Sequence, residues 1–253
     1  TVNIEADDTT SVDLVGITMT EAAGEVTGSN KAKIVITGDS SMTIAALHAD
    51  ISVVDASGNS GGLVITSASS SATEITGSST DDTLLGGAGD DTIIGGDGAD
   101  VITGAAGSDI LTGGEGADDF TLLVSESNAV IFDTITDFGT GDQILLTANA
   151  IAADVAAAAL GAKKTLSSLA TFADYLAFGA DQDADGSGAG KPVVTEWFQF
   201  GGNTFITMDN TAATSFTPVT DTVVQLTGLV DLSASTVAYT ATGNLVDITF
   251  VAA

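Results

Sequence analysis

Asp82, Asp91, Asp100, Asp109 and Asp118 recur at every ninth residue. They belong to five consecutive nonapeptides over residues 77–121: GSSTDDTLL, GGAGDDTII, GGDGADVIT, GAAGSDILT and GGEGADDFT. A Gly opens each, an Asp holds the sixth position, and Leu84, Ile93, Ile102, Leu111 and Phe120 hold the eighth. Carboxylates at this density suggest metal chemistry. Gly-rich turns let backbone carbonyls approach a cation, and the Asp adds a hard anionic oxygen. That donor set suits Ca²⁺, which takes six to eight oxygen ligands.

Each nonapeptide supplies a turn and a very short strand, with the eighth residue pointing inward. Two nonapeptides make one coil. Asp82, Asp100 and Asp118 then line one side, and Asp91 and Asp109 the other. Adjacent coils lie about 4.8 Å apart. Carboxylates at that spacing repel by roughly 3 kcal/mol at an effective dielectric of 20. A cation between coils turns this repulsion into coordination.

The pattern resembles the RTX nonapeptide G-G-x-G-x-D-x-U-x. The resemblance implies an all-β chain built on a parallel β-solenoid, or calcium β-roll, that binds several Ca²⁺ ions. The candidate ligands are Asp82, Gly86, Gly87, Gly89, Asp91, Gly95, Gly96, Gly98, Asp100, Gly104, Gly107, Asp109, Gly113, Gly114, Gly116 and Asp118. Ser78 and Thr80 in the first repeat and Ala105 in the fourth depart from the pattern, so the resemblance points to ligation first at Gly86–Asp91, Gly95–Asp100 and Gly113–Asp118.

Residues 1–76 are rich in Thr, Ser, Val and Ile. With Val35, Ile44, Val53, Ile65, Ile75 and Leu84 as inward positions, spacings of 9, 9, 12, 10 and 9 emerge. A calcium-free β-solenoid is expected here, feeding into a roll and closing segment over 77–149. The alternative for 1–76 is a β-sandwich. Phe132–Leu146 resembles the D-x-I-x-D-F-x-x-G-D-x-I-x-L stretch that follows RTX repeats, with Ile135, Phe138, Ile144 and Leu146 continuing the core. Its Asp133, Asp137 and Asp142 either ligate a terminal Ca²⁺ or solvate the turn.

Residues 150–253 form the expected C-terminal cap and secretion-signal region. Two short helices are expected, Ala150–Leu160 and Ser167–Phe178, the second with Leu169, Phe172, Ala173 and Leu176 on one face. Asp181, Asp183 and Asp185 in DQDADG match half of a calcium loop, but Pro192 stands where an EF-hand needs Glu. They form either a non-EF calcium loop, the preferred reading, or an exposed acidic turn. Thr195–Met208 reads as a hairpin about Gly201-Gly-Asn203, with further strands at Asp221–Leu226 and Val237–Val251.

The 253 residues carry 34 acidic and five basic side chains, a net charge of −29. Nucleic acid is excluded as a partner, since phosphate binding needs a basic face. With no Cys there are no disulfides, and no apolar run suggests direct membrane insertion. The chain starts at Thr1 without a signal peptide, so a fragment or processed product is expected. His48 is the sole histidine, and no H-E-x-x-H, G-x-S-x-G or P-loop occurs. No enzyme is expected. Trp197, Phe198 and Phe200 read as strand packing.

Within the RTX group, the Val53–Ser57 and Leu63–Thr66 runs resemble Caulobacter-type surface-layer proteins. So do the Glu196–Phe205 hairpin and Asp221–Leu229. That resemblance implies export by type I secretion machinery and calcium-dependent self-assembly into a lattice on a bacterial surface. The rivals are the secretion and folding domain of a secreted hydrolase, and the C-terminal part of an RTX adhesin.

Overall fold

The computed structural model describes residues 2–6, 12–14, 32–47, 51–67, 69–123, 131–147, 163–179, 195–208, 222–240 and 245–249. It is nearly all β, and its packing divides the chain into two units, residues 1–118 and 119–253. Among the described residues no helix is long and apolar enough to cross a membrane.

Among its described residues the first unit holds eleven strands: β1 (Val2–Ala6), β2 (Val12–Leu14), β3 (Ala32–Gly38), β4 (Met42–Leu47), β5 (Ile51–Asn59), β6 (Leu63–Ser67), β7 (Glu74–Thr76), β8 (Thr83–Gly87), β9 (Thr92–Asp97), β10 (Val101–Ala105) and β11 (Ile110–Glu115). Successive strands alternate between two sheets. Odd-numbered strands pair in parallel in the order β1-β3-β5-β7-β9-β11, and even-numbered ones in the order β2-β4-β6-β8-β10. This is the parallel β-solenoid expected from the repeat. Leu84, Ile93, Ile102 and Leu111 are all at most 1% exposed. Each such side chain contributes about 1.5–3 kcal/mol on burial. Two residues beyond each of them comes a buried Gly, which keeps the coil narrow.

The coil is regular only in the repeats. There Leu84 pairs with Ile102 and Ile93 with Leu111, eighteen residues on. Upstream, Met42 pairs with Leu63 and Val54 with Ile75, each twenty-one residues on, and the β3–β5 register shifts twice. This corrects two inward assignments. Ile34, Ile36 and Val54 are fully buried, whereas Val35 and Val53 are half-buried. A one-residue slip moves a strand residue to the opposite face.

The second unit contains β12 (Asp119–Leu123), β13 (Asp133–Ile135), β14 (Gln143–Thr147), α1 (Phe172–Gly179), β15 (Thr195–Phe200), β16 (Asn203–Met208), β17 (Thr222–Leu226), β18 (Thr236–Thr240) and β19 (Leu245–Thr249). Four strands pair as β13-β17-β16-β15 and four as β12-β14-β19-β18. Phe120, Ile135, Ile144 and Leu146 are buried, and Phe138 lies 6.4 Å from Phe120.

Helix α1 starts at Phe172, later than the expected Ser167. Thr171 closes the N-terminus as a cap: its N–H and hydroxyl both donate to Asp174 Oδ2, at 2.7 Å each. Leu169 therefore falls outside the helix and is 89% exposed. The other expected helix, Ala150–Leu160, lies outside the described residues. Phe172, Tyr175 and Leu176 of α1 pack on Phe198 and Phe205 of the β15–β16 hairpin. Phe200 pairs with Asn203, so the hairpin turn is the two residues Gly201-Gly202, with φ of 60° and 89°. That is shorter by one than the sequence suggested, and its positive φ values suit a type I′ turn. Trp197 and Phe198 are 1% exposed and serve packing.

Candidate metal centre

The turns between strands place the repeat Asp side chains inside the first unit. Asp82, Asp91, Asp100, Asp109 and Asp118 are each at most 3% exposed. Their Oδ1 atoms form two ladders along the coil axis. On one side the Asp82 N–H donates to Asp100 Oδ1 at 2.8 Å, and the Asp100 N–H to Asp118 Oδ1 at 2.9 Å. On the other, the Asp91 N–H donates to Asp109 Oδ1 at 2.8 Å. The expected division of the Asp series between two sides is observed. The ladders run on into the upstream solenoid, where the Leu63 N–H donates to Asp82 Oδ1 and the Thr73 N–H to Asp91 Oδ1.

The second carboxylate oxygen behaves differently. Oδ2 of Asp100 is buried and accepts no hydrogen bond. The side chains of Asp91, Asp109 and Asp118 are each 1% exposed. The four Oδ2 atoms point at the first-position Gly of their own turn. A Cβ on Gly95 would fall on Asp100 Oδ2 and on the carbonyl oxygen of Gly113, one coil later. A Cβ on Gly86 would lie 2.5 Å from Asp91 Oδ2 and 2.6 Å from the Gly104 carbonyl oxygen. A carboxylate oxygen and a carbonyl oxygen thus converge where only Gly fits. Two acceptors facing each other suit a cation, so the residues present fit Ca²⁺.

The electrostatics agree. Burial raises the Asp100 carboxyl to about 7, the Asp82 N–H opposes that shift, and repulsion from Asp82 and Asp118 adds to it. Burial also pushes Asp82 upward, opposed by donors from Ser78 and Leu63. Among the described residues no three His, Cys, Asp or Glu side chains gather into one metal cluster. Backbone oxygens must therefore supply most of each coordination shell.

The first repeat is built differently. The Ser78 N–H donates to Asp82 Oδ2 at 2.6 Å and its hydroxyl to Asp82 Oδ1 at 2.9 Å. Both oxygens of Asp82 have protein donors, two from Ser78 and one from Leu63. The sequence showed Ser78 only as a missing Gly. In the fourth repeat Ala105 takes φ 73°, alone among the described non-Gly residues in having a positive φ. Its counterparts Gly87, Gly96 and Gly114 have φ of 133°, 129° and 109°. Asp81 and Asp90, which sequence reasoning passed over, accept the N–H groups of Ala99 and Ser108 one coil on. The doubled Asp-Asp of the first two repeats was the signal.

Outside the repeats, Asp133 is 1% and Asp142 5% exposed, and each stands two residues before a buried Ile. Asp142 Oδ2 accepts the Gly139 N–H at 2.8 Å. Asp137 is exposed. Asp181, Asp183, Asp185 and His48 lie outside the described residues. A half-buried ion pair joins Lys164 Nζ to the buried Glu196 Oε1 at 2.8 Å.

A family model for the RTX calcium-binding nonapeptide repeat, in four copies, matches residues 76–111 and 94–122. No curated protein matches the chain. The match falls on the Asp ladders and their Gly turns: residues 76–122 are RTX calcium-binding nonapeptide repeats, and such repeats bind calcium ions.

Proposed function

We propose that this chain is a structural protein, exported by type I secretion machinery, whose calcium-loaded form assembles with copies of itself into a bacterial surface layer. RTX repeats are typical of extracellular proteins, where calcium is abundant. The observation that carries the reading is Asp100 Oδ2, buried without a donor and facing a carbonyl oxygen. Such a turn is destabilised in a calcium-poor cytosol, and sites of extracellular type bind at about 10⁻⁴–10⁻³ M. Binding energy then becomes folding energy outside the cell.

Copies at −29 repel one another, and each bound ion lowers the charge by two. The Asp181, Asp183 and Asp185 loop is proposed as a further calcium site that serves association. The test is light scattering of the whole chain against millimolar Ca²⁺. Sheets or large oligomers with calcium, and monomers with chelator or matched monovalent salt, support the proposal. A monomer at every calcium level overturns it.

A further inference from the structure

The two sheets of the first unit share one repeat but differ in charge. The odd-numbered strands carry Glu5, Lys33, Asp55, Glu74, Asp97 and Glu115, with Lys33 Nζ bonded to Asp55 Oδ2 at 2.9 Å. Among the even-numbered strands, β2 at the sheet edge carries Asp13, in register with Thr43, and β4, β6, β8 and β10 carry no charged residue. Their outward residues align in two rows across the strands. One row is Thr43–Val64–Thr83–Val101, and the other is Thr66–Leu85–Thr103. Val64 is 42% and Val101 37% exposed, and Thr83 between them is exposed too. The acids of this region sit in the turns, at the rim of a neutral, β-branched face.

We infer that this face is where a second copy of the chain packs, sheet against sheet. The inference deepens the proposed self-assembly and rests on it. Charge selects the occupant. A cationic partner finds nothing on these strands to pair with, while a copy of this polyanion must approach through a surface without charge. The exposed ridge Val64–Thr83–Val101 is centred on Thr83, so a twofold axis there sets Val64 of one copy against Val101 of the other. Packed sheets lie about 10 Å apart. Four strands of about five residues cover roughly 300 Å². That is well below the roughly 800 Å² per partner of a stable stand-alone interface. The contact is therefore weak alone and holds only when repeated in an array.

The test uses the whole chain with Ca²⁺ and three variants. Thr83→Asp places a charge at the centre of the face. Thr83→Cys and Ile110→Cys each add one thiol to a chain that has none, on the even and odd sheet respectively. With a short bis-maleimide, Thr83→Cys is expected to give covalent dimers at least tenfold faster than Ile110→Cys, which is 48% exposed in the parent. Thr83→Asp is expected to abolish scattering while its calcium-induced circular dichroism stays that of the parent. If the parent assembles and Thr83→Asp does so equally, or the two thiols cross-link alike, this face is overturned and self-assembly stands. If Thr83→Asp loses attachment to bacterial cells yet still self-associates, the occupant is another molecule and the inference fails. A parent that never assembles sinks both.

Discussion

Two stretches of one solenoid close their turns by different chemistry. Upstream, side chains without charge do the work. Asn59 Nδ2 donates to the carbonyls of Ser40 and Gly61, and Ser69 links the backbone of Ser71 through its hydroxyl. The first nonapeptide is intermediate, with the Ser78 hydroxyl and N–H on Asp82. At Gly86 and Gly95 the next residue has no hydroxyl, and Oδ2 of Asp91 or Asp100 meets a carbonyl oxygen; at Gly77 the same two kinds of oxygen converge, but there Ser78 donates to the carboxylate. The same coil thus closes its turns with neutral donors at one end, where Asn59 Oδ1 is itself buried without a donor, and sets a carboxylate oxygen against a carbonyl oxygen at the other. The change comes at the second position of the repeat, where Ser78 gives way to Gly87 and Gly96.

The largest effect is expected from Gly95→Ala. Its methyl group has no space between Asp100 Oδ2 and the Gly113 carbonyl, and backbone must shift. A cost on the order of 3 kcal/mol follows, and calcium-induced dichroism of the repeats should vanish. Retention of the normal calcium midpoint would break the proposed geometry.

Asp100→Asn sharpens the contrast because its sign depends on calcium. Without metal, it removes a buried carboxylate flanked by Asp82 and Asp118, so the apo fold should gain stability. With metal, it deletes an anionic ligand, and the calcium midpoint should rise at least tenfold. Ser78→Ala, by contrast, should cost about 1 kcal/mol in chelator and in calcium alike. Denaturant melts in both conditions separate the two behaviours.

The pH dependence follows from the same carboxyl. Burial pushes the Asp100 carboxyl up to about 7 in the calcium-free fold, against the usual 3.8 of a free aspartate. Between those values the fold holds a proton that the unfolded chain has released. Stability of the calcium-free roll is therefore greatest below 3.8 and is lost as pH rises through 7. In calcium the direction reverses, since protons compete with the ion. Melts from pH 4 to 8, with and without calcium, should slope in opposite senses.

The smallest effect is Ala105→Gly. Relief of the left-handed Ala is worth about 1–2 kcal/mol, and the added freedom of the unfolded Gly cancels part of it. A net gain of about 0.5 kcal/mol should appear equally in both conditions. No gain would mean that the turn relaxes around Ala105 in solution.

The repeat core was legible in the sequence because period and burial coincide there. All five eighth-position residues are buried, as their spacing demanded. Upstream the nine-residue spacing misled by one at Val35 and Val53, since coils of about twenty residues with shifted register leave no fixed period. The α1 start was readable in Thr171-x-x-Asp174, a capping pattern overlooked in favour of apolar spacing. Pairing of Lys164 with Glu196 was not readable, because nothing local links residues so far apart in the chain. Ser78 was legible as a departure, and only the hydrogen bonds to Asp82 show that it replaces what the Gly turns lack.

The central claim is that calcium sits in the Gly/Asp turns and is dispensable in the Ser/Asn turns. An anomalous difference map of the crystallised chain in calcium tests it most directly. The account predicts peaks beside Oδ2 of Asp91 and Asp100, within ligand distance of the Gly104 and Gly113 carbonyls, and no peak in the turns of Asn59 or Ser69. Empty Asp91 and Asp100 turns, or ions held at Asn59 and Ser69, would contradict it.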